Sequence, residues 1–260
     1  MANSQTGDSV IDRLVRVLAT FDSEHTEQSP SDIARRAGLP LSTGHRLVGD
    51  LVESGLLERD EDGQARVGMR LWELATRGSL ALGLRQAALP AMERVQALVR
   101  QHTQLGVADG DQVLFLERLS HPQAGANITR IAGRLPLHAS SSGLVLLAAA
   151  PPAVLERILA APLERLAPET ITDPAALRRK LAEVRRLGHA IAPGSIEAVS
   201  TGIAVPLRDR GVVVAALGVV LPRGEEDDRV ATILRAAAGE IEAALAAPSR
   251  SSTILVTFKS

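Results

Sequence analysis

The chain has 260 residues, 45% of them hydrophobic, with no cysteine and a formal charge of −1. That length fits two domains with a sizeable core, and the missing cysteines exclude disulfides, thiolate metal sites and a cysteine nucleophile. No apolar run reaches the ~18 residues of a membrane span and Met1 to Ser9 carries neither a basic nor an apolar stretch, so a cytoplasmic address with no membrane segment and no secretory leader is expected.

The first helix is expected over Ser9 to Phe21, where Val10, Ile11, Leu14, Val15, Leu18 and Phe21 share one face. Ser9 is a natural cap, with Asp12 three residues on to favour the positive end of the helix. Asp22 to Pro30 reads as a polar loop. Ser31 then caps a short helix, Asp32 to Ala37, which Gly38 stops in a left-handed conformation. Leu39-Pro40-Leu41 makes a tight turn, and Ser42 opens a second helix that runs to Ser54, with Leu47, Val48, Leu51 and Val52 as its buried stripe and Gly55 as its stop. Two short helices around a tight turn are the helix-turn-helix pattern. Leu56 to Arg59 and Gln64 to Val67 read as strands around an Asp60-Glu61-Asp62-Gly63 turn, the hairpin of a wing.

Helical patterning continues from Met69 to about Gln101, with interruptions expected near Gly78, Gly83 and Pro90. From Thr103 onward, strands and helices alternate. Strands are expected over Gln104–Ala108, Val113–Leu119, Asn127–Ile131, Ile203–Leu207 and Val212–Val220, the last two joined by an Asp209-Arg210-Gly211 turn. Helices are expected over Ser142–Ala150, Ala153–Ala160, Ala175–Leu187 and Asp228–Ala246; Asp173-Pro174 is a start signal and Gly188 a stop. The expected organisation is α+β in two domains. A winged helix-turn-helix covers residues 1–68, a linker helix 69–83 and an α/β domain 84–248, with an unassigned tail over 249–260.

Three blocks resemble one family. Ser31 to Gly68, SDIARRAGLPLSTGHRLVGDLVESGLLERDEDGQARVG, is similar to the DNA-binding domain of the IclR family of bacterial regulators. GRLPLHASSSGLVLLA, Gly133 to Ala148, resembles the family's strand-loop-helix, and GIAVPLRDRGVVVAALGVVLP, Gly202 to Pro222, resembles its late hairpin. The blocks follow in order at the family's spacing, so the resemblance spans Val10 to Ala246. It implies a GAF-like effector-binding domain, a homodimer or homotetramer, and short pseudo-palindromic double-stranded operators.

On that reading the first turns of the Ser42 helix face the major groove, and Ser42, Thr43, His45 and Arg46 are the contact candidates. Arg46 suits a phosphate or a guanine edge. Arg35 and Arg36 on the preceding helix would grip the backbone, and Arg59 and Arg66 would reach the adjacent groove from the wing. Helix capping alone would equally account for Ser42 and Thr43. Charge runs the other way: Met1 to Leu74 holds eight arginines against thirteen acidic residues, a net of −5, so binding must rest on where the charges sit. Asp60, Glu61 and Asp62 should point away from phosphate. Leu41 stands where family members often carry a basic residue, and Gly44 where they carry a non-glycine residue. A glycine inside a helix costs about 1 kcal/mol relative to alanine, so a less rigid recognition helix is expected.

Ser140, Ser141, Ser142 and Gly143 lie between a strand and an apolar helix. A helix N-terminus with three hydroxyls suits a carboxylate, and the resemblance places a small-molecule effector near this loop. His138 either touches that effector or satisfies backbone groups, the second being favoured; Arg130 is a weaker anion candidate. Gly202, Gly218 and Val220 form the opposite wall, which is less polar than in relatives that take small oxoacids. The expected effector is therefore larger or more apolar than a two- or three-carbon acid. With 2% aromatic residues, ring stacking should not dominate the pocket. No cofactor and no metal are expected: the six histidines are scattered, and no P-loop, G-x-G-x-x-G, H-E-x-x-H or G-x-S-x-G element occurs. Two alternatives stay open, a winged helix that binds protein instead of DNA and a serine-dependent hydrolase.

Overall fold

A computed structural model describes residues 8–22, 24–77, 79–122, 124, 129–224 and 227–247. The chain divides into two compact units, Met1–Ser79 and Leu80–Ser260. The expected tail lies outside the described residues, as do Asn127 and Ile128 of the strand expected there; Thr129 to Ile131 is not strand.

The N-terminal unit comprises α1 (Val10–Leu18), β1 (Glu27–Gln28), α2 (Pro30–Arg36), α3 (Leu41–Glu53), β2 (Leu57–Arg59), β3 (Ala65–Val67) and α4 (Met69–Thr76). Ser9 and Asp12 close a full capping box on α1. The helix is rolled relative to the expected face. Val17 is completely buried and, with Leu14, Leu18 and Phe21, joins Ile33, Leu47 and Leu57 in the core, while Val10, Ile11 and Val15 stay exposed. α2 begins earlier than expected because Ser29, not Ser31, is the cap. Pro30 takes the first helical position, where a missing N–H is no loss. α3 likewise starts at Leu41 behind Pro40, so Ser42 sits inside the first turn and caps nothing. Gly38 and Gly55 adopt φ of +63° and +74° as helix stops should. The loop expected over Asp22 to Pro30 contributes β1 to the inner strand β3, so the wing sheet has the order β1-β3-β2.

The C-terminal unit comprises α5 (Leu80–Val99), β4 (His102–Asp109), β5 (Gln112–Leu119), β6 (Arg134–Pro136), α6 (Ser141–Ala149), α7 (Pro152–Leu159), α8 (Pro174–Leu187), β7 (Ala190–Pro193), β8 (Ser200–Asp209), β9 (Val212–Pro222) and α9 (Asp227–Ala246). α5 runs unbroken through Gly83 and Pro90, against the expected interruptions. Pro90 is exposed, so the carbonyl it leaves unpaired lies on the wet side while Leu84, Ala88, Met92 and Val95 keep the apolar face continuous.

The strands form one antiparallel sheet in the order β6-β5-β4-β9-β8-β7. Alternation sends Leu105, Ile203, Leu217 and Val219 to one face, against Met92 of α5 and Leu234 of α9. Val113, Phe115, Ala204 and Ala216 go to the other, against Leu144 and Leu147 of α6 and Leu177 and Leu181 of α8. Every residue of α6 from Ser141 to Ala148 is buried, as befits a helix apolar all round. Its N-terminus is therefore delivered to the middle of the sheet.

Candidate DNA interface and effector pocket

The first turns of α3 expose Ser42, His45 and Arg46 and leave Thr43 half-buried. Arg46 Nη1 lies 3.1 Å from Asp50 Oδ2, one turn on. Arg35 pairs with Asp32, Arg36 contacts Asp22 at 3.0 Å and Gln28 at 3.2 Å, and Arg66 contacts Glu58 at 3.2 Å. Among the described residues Arg59 has no ion-pair partner and is exposed. The acidic excess is thus not remote from the candidate face, since four of its five arginines share it with a carboxylate. Such exposed pairs contribute ~0–1 kcal/mol each, so a phosphate can displace the carboxylate at small cost. His45 Nε2 sits 3.0 Å from Ser31 Oγ, so Ser31 ties α2 to α3 rather than capping a helix.

Gly44 has a different role from the one expected. A Cβ there would fall 2.3 Å from Ala34 Cβ and 2.9 Å from Ala34 Cα. Its bare backbone is what lets α2 and α3 cross this closely, so the glycine fixes the recognition helix instead of loosening it. Glu58 gave no sequence signal as a site residue. Its Oε1 accepts the Met69 N–H at 3.0 Å and its Oε2 holds Arg66, joining the wing to the start of α4. These bonds, the Met69 N–H first and Arg66 second, hold its carboxyl below the usual range.

In the C-terminal unit Ser140 caps α6, its Oγ accepting the Gly143 N–H at 3.0 Å. A side chain at Gly143 would meet the Leu137 carbonyl oxygen at 2.3 Å. A Cβ at Gly202 would lie 2.7 Å from Ser141 Oγ, and one at Gly218 3.1 Å from Ser142 Oγ. The two strand glycines thus make room for the two hydroxyls. Beneath the helix start lies a small cavity of about 30 Å³. Its polar lining is Gln104, Thr129, Ser140, Ser141, Glu197 and Ser200, and Leu135, Ala192, Ile196, Gly202 and Val220 complete the wall.

Of the expected effector residues, Ser140, Ser141, Gly202 and Val220 line this cavity. Ser142, Gly143 and Gly218 lie behind it; Ser142 is fully buried and its hydroxyl has no partner among the described residues. His138 turns away, its Nε2 lying 2.9 Å from the Glu164 carbonyl oxygen, and lines a separate groove with Arg157 and Pro162. His138 therefore does not face the serines as a base. Arg130 is exposed and lies in a loop, not on a strand.

Gln104 was missed. A glutamine within an otherwise apolar-patterned strand was the available signal, and it is 2% exposed. Its cross-strand neighbour Arg118 was also missed; Arg118 donates to the Thr129 carbonyl and lies 3.4 Å from His102 Nδ1. Burial, then the nearby Arg130 charge, lowers the Arg118 pKa. Behind the pocket, Ser195 Oγ donates to the Ala139 carbonyl at 2.7 Å and Thr170 Oγ1 to the Ser195 carbonyl at 2.6 Å. These bonds hold the Ile196–Glu197 wall against the loop that leads into α6. Among the described residues no group of three histidine or acidic side chains could hold a metal, and no helix is long and apolar enough to cross a membrane.

Two family models match the chain. "IclR helix-turn-helix domain" covers residues 10–61 and "Bacterial transcriptional regulator IclR C-terminal" covers residues 80–243. The HTH-type transcriptional regulator XynR of Escherichia coli (strain K12) is 31% identical over 224 residues, 84% of this chain and 88% of that one. An IclR homolog from Microbacterium hydrocarbonoxydans, solved in complex with 4-hydroxybenzoate, is 59% identical with a TM-score of 0.88, covering 91% of this chain and 99% of that one. An IclR homolog from Microbacterium sp. strain HM58-2 is 57% identical with a TM-score of 0.63, over 94% and 100% of the two chains.

Proposed function

The chain belongs to the IclR family of bacterial transcriptional regulators, and from that premise we propose that it binds a two-fold operator as a homodimer or homotetramer under the control of a monoaromatic carboxylate. It is a regulator and not an enzyme, as its relatives are. The observation that carries the effector class is the α6 N-terminus, with Ser140 and Ser141, at one end of a cavity walled by Leu135, Ile196 and Val220. Unpaired N–H groups, a partial positive charge and hydroxyl donors suit a carboxylate, and the apolar wall suits a ring. The 4-hydroxybenzoate bound by the homolog of 59% identity supports the same class.

For DNA, Ser42, His45 and Arg46 of α3 are the proposed groove contacts, and Arg35, Arg36, Arg59 and Arg66 the proposed backbone contacts. The exposed apolar side chains Val10, Ile11 and Val15 of α1 and Met69 and Trp72 of α4 are the surface that a second copy would cover. The test is fluorescence anisotropy of the protein on its own upstream duplex across a salt series, with and without 4-hydroxybenzoate. Binding that falls steeply with salt, beats a scrambled duplex and shifts with the ligand is expected. Operator binding indifferent to every monoaromatic acid would remove the effector class and leave the DNA reading standing.

A further inference from the structure

Gln104 sits where a polar group is expensive unless it is used. Its side chain is 2% exposed, and its Oε1 is shut off from solvent with no hydrogen-bond partner among the described residues. A buried, unpaired amide loses its water without replacement, and such groups in folded proteins call for a reason. Around Gln104 the strand neighbours offer no partner. Its neighbour on β9 is Gly218, which has no side chain, and its neighbour on β5 is Arg118, engaged with Thr129 and His102. The amide instead lines the cavity whose other polar end is Ser140 and Ser141.

The pairing scheme sets the span. Ser141 stands over Gly202 on β8; Gly202 pairs with Val220 on β9 and Val220 with His102 on β4, while Gln104 lies two residues further along β4, opposite Gly218. Two strand spacings of about 5 Å each and a two-residue offset of about 7 Å put the two backbone positions roughly 12 Å apart. Ser141 and Gln104 both line the cavity, and Val220 contributes to its apolar wall. A ligand with a carboxylate at one end and a hydrogen-bonding substituent at the other would address both.

We infer that Gln104 is a specificity-determining residue that recognises a hydroxyl on the ring, opposite the carboxylate, so that the pocket selects para-hydroxylated benzoates over benzoates bearing no polar group there. This rests on the proposed carboxylate site at α6. A phenolic hydroxyl both donates and accepts, so it satisfies the amide in either orientation of its oxygen and nitrogen. A ligand without it leaves Gln104 buried and unpaired, which is the circumstance in which a pocket rejects an analogue most strongly. Glu197 is the competing acceptor in the lining.

The experiment is isothermal titration of the full chain with 4-hydroxybenzoate, benzoate and 4-methylbenzoate, the last putting a methyl group in place of the hydroxyl. The same titrations are made on Gln104→Met and Glu197→Ala. The wild type is expected to prefer 4-hydroxybenzoate over both analogues by at least tenfold. Gln104→Met, of similar shape and without the amide, is expected to reduce that preference to within about threefold while binding benzoate at least as well as the wild type. Equal binding of the three acids by the wild type overturns the role of Gln104 and leaves the carboxylate site standing. A preference that survives Gln104→Met and disappears in Glu197→Ala assigns the hydroxyl to Glu197 and overturns it as well. No binding of any of the three acids removes the aromatic-carboxylate reading itself. If Gln104→Met does not fold, Glu197→Ala decides instead: a wild-type preference that survives it supports Gln104, and one that disappears overturns it.

Discussion

Three glycines do their work through what they leave out. At Gly44 the space beside the Cα belongs to Ala34, at Gly143 to the Leu137 carbonyl, and at Gly202 to the Ser141 hydroxyl. The first is the sharpest test, because two effects oppose. Gly44→Ala gains about 1 kcal/mol of helix propensity. It also forces a methyl to within 2.3 Å of another, and overpacking of that kind costs ~1–3 kcal/mol when helices must separate. Backbone atoms of Ala34 stand in the way, at 2.9 Å, and cannot rotate aside. The expected outcome is net destabilisation of the N-terminal unit by up to about 2 kcal/mol with weaker operator binding, measured by urea unfolding and anisotropy. A stabilised variant would show that α2 and α3 have slack and that the glycine is dispensable. Gly202→Ala should act differently: its Cβ meets only the end of a side chain, so Ser141 is displaced and effector affinity falls while the fold holds.

Elements show which features a sequence exposes and which it hides. In α3 and Asp50 lies a prediction at this scale. Asp50 holds Arg46 across 3.1 Å; if Arg46 meets a phosphate as proposed, Asp50→Asn should raise affinity for all duplexes alike and steepen the salt dependence by about one phosphate. Sequence-selective strengthening alone would mean that Asp50 reads bases. A second concerns acid. In the N-terminal unit Asp12, Asp22, Asp32 and Glu58 all have folded-state pKa values below their usual ones, chiefly through hydrogen bonds from Ser9, His25, Ser29 and the Met69 N–H respectively. A carboxylate depressed in the folded state stabilises it above the unfolded pKa, and that contribution fades as pH falls through the folded value. The unit should therefore hold its stability down to about pH 4 and lose it progressively below. Circular dichroism melts between pH 6 and pH 2 would show this, and a flat profile would mean that the caps and pairs carry no stability.

Legibility followed the same lines. Stops at Gly38, Gly55 and Gly188 were readable because only glycine takes positive φ at no strain. The helix starts were less so: Ser29 and Ser31 are equally good caps on paper, and Pro30 between them decided the matter by preferring the first helical position. β1 and β7 went unread because strands of two and four residues carry too little alternation; pairing with β3 and β8 makes them strands. The facing of α1 was hidden by surplus apolar residues, which let Val17 go inside and Val10 out. For the pocket, the serine loop was legible as a helix start without an acidic partner. Gln104 was not, because its value depends on Gly218 and Arg118 falling opposite it, a property of register.

At the scale of the whole molecule, a sensor controls DNA only through free energy shared between the two sites. Effector binding can move the operator equilibrium by no more than its differential affinity for the DNA-competent and incompetent states, typically ~1–3 kcal/mol or 5- to 150-fold. Linkage makes this reciprocal: whatever factor a bound effector applies to operator affinity, operator must apply to the affinity for that effector. Trp72 supplies the readout. It is the only tryptophan, it lies on α4, and it is 62% exposed in the isolated chain. If a second copy covers α4, its emission should shift to the blue as protein concentration rises through the dimer range, before any DNA is added. Operator half-sites about 34–36 Å apart, one turn of the duplex, would then be met by two copies of α3 at once. Changing the spacing by half a turn should lower affinity far more than changing a single base pair. The decisive comparison is between two ratios measured independently, operator affinity with and without ligand by anisotropy, and ligand affinity with and without operator by calorimetry. Equal ratios different from one establish a coupled regulator and give its sign, release or recruitment. Two ratios of one, with both ligands bound, would mean that the pocket and α3 occupy one chain without communicating, and that the physiological effector has yet to be offered to it.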